Sequence, residues 1–207
     1  TGGPVERVFI TGVTTVSLDS LTSGFNIADD ISNEPDFVGM FGFTDDELRE
    51  LIPQLVDLKK LDMPLEAAFE RMKTLYDGYR FSPDSNLSVF NASMCLYYLK
   101  FLQRRGREPE EVLDPAFAPD LGKIHSILSL GRLSDVQAIV ETAVQYQPIG
   151  YGVLPLAINL HNKELLTRED ILKLLISFGF LTYRGNREKE LAVPNIAVSK
   201  QFFEYYL

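Results

Sequence analysis

Tyr76-Asp77-Gly78-Tyr79-Arg80-Phe81 places three aromatic rings, a turn glycine and an arginine within six residues. A guanidinium set on such a turn offers a planar fork of N–H donors that matches phosphate or carboxylate oxygens. The plainer alternative is a tight turn whose rings pack inward while Arg80 stacks on a ring or pairs with a carboxylate. Composition alone favours the plainer one. Elsewhere the parts for chemistry are scattered. His125 and His161 stand in neither an HExxH helix nor a serine-elbow context. Gly122-Lys123 is followed by Ile124 and lacks the upstream glycine of a phosphate-cradling loop, and no Gly-x-Gly-x-x-Gly occurs. One cysteine, Cys95, and two histidines cannot assemble a structural zinc site. Cys95 lies inside the apolar run Met94–Leu99 and reads as a small buried hydrophobe. Arg104-Arg105-Gly106-Arg107 complements a helix C-terminus. Arg184, Arg187 and Lys189 alternate with Glu188 and Glu190, as on a solvated hairpin.

These residues sit in a chain of 207 residues with 45% hydrophobic, 24% charged and 11% aromatic content. Such a composition excludes disorder and low complexity, and the length suits one large domain or two small ones. The net charge of −9 repels nucleic acid and anionic membrane surfaces as a whole. No apolar run approaches the roughly 18 residues of a membrane-spanning helix. No signal-peptide pattern opens the chain, and a cytoplasmic location is expected. The opening Thr1-Gly2-Gly3-Pro4, without Met, reads as an excised piece of a longer protein.

The elements that must position the candidates follow from periodicity and caps. Val5, Val8, Phe9 and Ile10 predict a short buried strand ending at Thr11-Gly12, and residues 14–42 read as a long loop. Thr44-Asp45-Asp46-Glu47 is a capping box opening a helix, with Phe43 and Leu48 as staple, that should end near Leu51-Ile52 because Pro53 follows. A second helix covers Pro64 to Tyr76, with Gly78 as its stop. Residues 77–90 form a turn-rich link. Asn91 caps a strongly apolar helix to about Leu102. Two more helices are predicted near 119–130 and 134–145, the latter capped by Ser134. Thr167-Arg168-Glu169-Asp170 opens another in the same way, flanked by Leu166 and Ile171 and ended by Gly179. Phe180–Tyr183 and Glu190–Val193 then read as a hairpin around Gly185-Asn186, and a last helix covers about 197–206. Helix, hairpin, helix is a winged-helix-like order.

In sequence order, the stretches Val8–Thr14, Ser23–Ile27, Phe41–Leu48, Tyr76–Phe81, Val89–Asn91, Ser177–Leu181 and Val193–Asn195 resemble the AAA-ATPase-like family. Members of that family commonly carry a PD-(D/E)XK nuclease-like domain after the ATPase region. The resemblance spans nearly the whole chain and is to the C-terminal half of that region, without its P-loop. It implies an upstream P-loop domain that binds ATP and Mg²⁺, and a downstream nuclease-like domain. It also implies sensor roles for Thr11, at a strand end of the nucleotide-binding sheet, and for Arg80. Many relatives place an arginine where this chain has Thr15, which shifts an arginine-based role onto Arg80.

The expected fold is therefore α+β and predominantly α-helical. Residues 1–43 would end a nucleotide-binding core, 44–160 would form a helical lid-like region, and 161–207 a winged-helix-like unit. The expected function is the lid and sensor portion of a P-loop ATPase, coupling nucleotide state to a neighbouring effector domain and not catalytic alone. The alternatives are a helical module that binds a protein partner without nucleotide chemistry and, less favoured by the acidic balance, a DNA-binding winged helix.

Overall fold

Among its described residues, the computed structural model has seven α-helices and a small three-stranded antiparallel sheet. It describes residues 7–9, 11, 29–115, 119–155, 158, 165–185 and 188–206. The fold is predominantly helical α+β, as expected.

Helix α1 (Asp45–Leu55) starts at the capping box. Thr44 Oγ1 accepts from the Glu47 N–H at 3.3 Å, and Glu47 Oε2 accepts from the Thr44 N–H at 2.8 Å. The helix does not stop at Ile52. Pro53 removes one N–H, but Ile52 and Leu48 are buried and Val56 N–H still reaches the Ile52 carbonyl at 3.0 Å, so packing carries the last turn past the proline. Helix α2 (Leu65–Tyr76) buries Ala68, Phe69, Met72, Leu75 and Tyr76 along one stripe. Helix α3 (Ala92–Arg105) is capped by Asn91 and closed by Gly106 in the left-handed region, next to the basic Arg104 and Arg105. These three helices enclose one core, with Phe90 and Ala197 inside it.

The second core is built from α4 (Pro119–Leu128), α5 (Leu133–Val144), α6 (Arg168–Ser177) and α7 (Ile196–Tyr206), closed by the sheet. Helices α4 and α5 thus share their apolar interior with the hairpin unit. Ser134 is not the α5 cap. Arg132 occupies that position without a side-chain bond, and Ser134 lies one residue inside the helix. Thr167 and Asp170 form the expected capping box of α6. Strand β1 (Ile149–Gly150), which local pattern does not reveal, pairs with β3 (Glu190–Ala192), and β3 pairs with β2 (Thr182–Tyr183). The predicted strand from Phe180 is shortened. The N–H groups of Phe180 and Leu181 are consumed by the Leu175 carbonyl, at 2.8 and 3.1 Å, and close α6 instead of pairing in the sheet.

Near the N-terminus the expectation of a buried strand fails for the residues described. Arg7, Val8 and Phe9 lie in no strand, with Val8 73% and Phe9 59% exposed. The rest of that stretch and most of the expected long loop fall outside the described residues. Among the described residues of that loop, a 3₁₀ turn, Pro35–Phe37, precedes α1.

Candidate functional site

The turn Tyr76–Arg80 leaves α2 and runs between the two cores, held from both sides. Tyr79 and Val89 exchange backbone hydrogen bonds, Tyr79 N–H to Val89 O at 3.2 Å and Val89 N–H to Tyr79 O at 3.0 Å. The Asn91 N–H reaches the Tyr76 carbonyl at 2.9 Å. These contacts fasten the turn to the first core. On the other side Asn195 Nδ2 donates to the Asp77 carbonyl at 2.8 Å, and Arg80 is tied to Thr182 of β2. Gly78 adopts φ +99°, and a Cβ there would lie 2.1 Å from the Pro194 carbonyl oxygen. Only glycine lets the turn and the segment before α7 approach so closely.

Asn91 and Asn195 are matched helix caps. Asn91 Oδ1 accepts from Met94 N–H and Asn195 Oδ1 from Val198 N–H, each at 3.1 Å, so both side-chain oxygens are committed to helix N-termini. Between them burial pushes the Tyr79 phenol above its ordinary range, while hydrogen bonding from Asn195 and Asn91 opposes the shift. Tyr76 and Cys95 are likewise pushed up by burial, and the Tyr183 phenol is pushed up to about 12 for the same reason. These hydroxyl and thiol groups stay protonated at neutral pH. Asp77, 9% exposed, accepts from the Ser88 hydroxyl through Oδ2 at 3.3 Å, and its Oδ1 is buried without a hydrogen bond. A cleft of about 100 Å³ opens beside the turn, with Tyr79, Asn91, Phe178, Asn195 and Gln201 on its wall.

Arg80 is half-buried and its backbone is fully engaged. Its N–H donates to Thr182 Oγ1 at 2.6 Å, and the same hydroxyl donates back to the Arg80 carbonyl at 2.9 Å. A Cβ on Gly185 would stand 3.6 Å from Arg80 Cδ, so the arginine stem lies over the start of the β2–β3 turn. Of the aromatic neighbours, Tyr76 is fully buried against Tyr98, while Tyr79 and Phe81 are half-buried. Thr11 is exposed and belongs to no element, and no hydrogen bond or ion pair among the described residues joins it to Arg80. His125 is an exposed helix residue stacked on Tyr205, with centroids 4.6 Å apart. Arg184 pairs with Glu190 at 2.8 Å, as on a solvated hairpin, while His161, Thr15 and Arg187 lie outside the described residues.

Five of the stretches that carry the family resemblance therefore meet at one joint. Phe43 bridges to Phe90, Tyr79 to Val89, Gly78 packs on Pro194, and Gly179 faces Tyr79 at 3.3 Å from the position of an added Cβ. The gathered groups are a guanidinium, two amides, a phenol, the Asp77 carboxylate and the Ser88 and Thr182 hydroxyls. Local spacing did not reveal Thr182 or the tie from Asn195 to Asp77, because these contacts span 102 and 118 residues. Asn195, directly after a proline and before an apolar helix, carried a readable cap signal. Comparison with protein-family models, with curated proteins and with solved structures finds no match for this chain.

Proposed function

We propose that this chain is the lid and sensor portion of an AAA-ATPase-like protein, coupling nucleotide state to a neighbouring effector domain. One observation carries the proposal. Arg80 is clamped to β2 of the second core through Thr182, on a turn whose first residue, Tyr76, is buried in the first core, at the joint where the resembling stretches meet. A guanidinium placed there feels a phosphate contact and passes a displacement to both cores, which is what a sensor on a lid must do. On this proposal ATP and Mg²⁺ belong to an upstream P-loop domain. The joint supplies donors suited to phosphate oxygens, and no group of three or more His, Cys, Asp or Glu gathers for a cation among the described residues. Thr11, being exposed, is the second contact offered to that domain. A winged-helix-like unit over residues 161–207, from α6 through the hairpin to α7, and a cytoplasmic location belong to the same proposal. Among the described residues no helix is long and apolar enough to cross a membrane.

The test is Arg80→Lys in the natural full-length protein. Lysine keeps the charge and loses the fork, so ATP turnover should fall about tenfold or more, the loss of one charge-assisted hydrogen bond in the transition state. Melting temperature should barely move. Unchanged turnover per folded molecule, with a lowered melting temperature, would make Arg80 structural and overturn the proposal.

A second reading, an interaction module without nucleotide chemistry, draws on α7. Ile196, Phe203 and Tyr206 lie on one stripe of that helix and are 42%, 40% and 56% exposed. Tyr146, 64% exposed, leans on Phe203 with centroids 6.4 Å apart. A full-length protein without any nucleotide turnover would favour this reading.

A further inference from the structure

Resting on the sensor reading of Arg80, we infer that Thr182 is the positioning residue that aims its guanidinium. A hydroxyl has one proton to donate and lone pairs to accept, and Thr182 spends both on a single residue. It accepts from the Arg80 N–H at 2.6 Å and donates to the Arg80 carbonyl at 2.9 Å. Thr182 is itself 3% exposed and fixed in β2, whose neighbour Tyr183 pairs with Leu191. A β-branched side chain held in a strand has little χ1 freedom, so the hydroxyl is a rigid anchor. The Tyr183 N–H adds a longer contact of 3.4 Å to the same Arg80 carbonyl.

Two points then define the direction of the arginine. The clamp sets its Cα, and the surface at Gly185, where an added Cβ would stand 3.6 Å from Arg80 Cδ, supports its stem. Both belong to the β2–β3 unit. The preceding residue, Tyr79, bridges to Val89 through its backbone and packs its ring on the second core, while Arg80 itself is held by the hairpin. A shift of the hairpin therefore carries the guanidinium with it, and a contact made by the guanidinium is felt first by the hairpin. Thr182 is the link that turns an arginine on a turn into a reporter of hairpin position.

The experiment is a double-mutant cycle in the natural full-length protein, with ATP turnover per folded molecule and melting temperature read on every variant. Thr182→Val keeps the shape and removes the hydroxyl, and should lower kcat about tenfold. Thr182→Ser keeps both hydrogen bonds and should restore most of that activity. Thr182→Val combined with Arg80→Lys should be no slower than Arg80→Lys alone, because both changes remove one aimed guanidinium. A purely structural threonine would lower the melting temperature, leave turnover per folded molecule unchanged and add independently to Arg80→Lys. Should Thr182→Val not fold, Thr182→Cys, with a weaker donor of similar volume, takes its place. If Arg80→Lys itself leaves turnover intact, the sensor reading falls and the inference with it. If Arg80→Lys impairs turnover while Thr182→Val does not, the inference alone is overturned.

Discussion

Gly78→Ala probes the joint directly. Its φ of +99° is outside the range L-residues adopt comfortably, which costs alanine about 1–2 kcal/mol. The new methyl would also stand 2.1 Å from the Pro194 carbonyl oxygen. That neighbour is backbone, one residue from the Asn195 side chain that donates to Asp77 at 2.8 Å. Relief therefore means parting the turn from α7, which costs about 1–3 kcal/mol of repacking and loosened hydrogen bonding. The two contributions sum to roughly 2–5 kcal/mol, or a fall in melting temperature of about 4–20 °C for a chain of this size. Gly179→Ala is the matched control. Its φ is also positive, +75°, but its added methyl meets only a ring edge of Tyr79 at 3.3 Å, so a loss of about 1–2 kcal/mol is expected. Gly122, inside α4 with nothing within 4 Å of an added Cβ, should gain. There alanine stabilises by about 0.5–1 kcal/mol through helix propensity. Urea melts followed by far-UV circular dichroism compare the three. If Gly78→Ala loses no more than Gly179→Ala, the close approach of the turn to Pro194 is not a tight constraint and the joint is looser than argued.

Thr44→Ala should cost about 0.5–2 kcal/mol in the same melts, since it removes the cap of α1. Hydrogen bonding from Thr44 holds the Glu47 carboxyl below its ordinary 4.5, so the folded state binds that proton less readily than the unfolded one. The stabilisation is present above pH 4.5 and is lost as pH falls through the lowered value; Glu47→Gln should flatten that part of the acid melting profile, by a small amount because the group is solvent-screened. Leu175, fully buried in the second core, should cost about 2–5 kcal/mol on truncation to alanine, more than the cap.

What the sequence disclosed follows the range of the interactions concerned. The caps of α1, α3 and α6 were legible because a cap is a contact between residues three apart, written as Thr44 with Glu47, Asn91 ahead of Met94, and Thr167 with Asp170. Helix α1 outran its predicted end because burial of Ile52 outweighs the cost of Pro53, a term no local rule contains. Strand β1 was invisible for the same reason, since two residues become a strand only when Leu191 and Glu190 arrive to pair with them. Arg80 was singled out by its neighbours in sequence, of which Tyr76 is buried in the first core and Tyr79 fixes the turn through its backbone bridge to Val89.

The part of the joint that was not legible is the part that gives it a mechanical character. A turn held by one core would move with that core and report nothing. This turn is held by two, through contacts that sequence spacing cannot show. Arg80 meets Thr182 across 102 residues, and Asp77 meets Asn195 across 118. The backbone of Tyr79 bridges to Val89, ahead of α3, while its ring packs on the second core, and Thr182 clamps the next residue, Arg80, to the hairpin. On the sensor proposal, a displacement of the hairpin reaches Arg80 through the Thr182 clamp, and a ligand held by the guanidinium resists it. That reciprocity follows from linkage alone, and on the proposed sensor role it makes the pair Arg80 and Thr182, rather than either core, the point of exchange between nucleotide state and domain position.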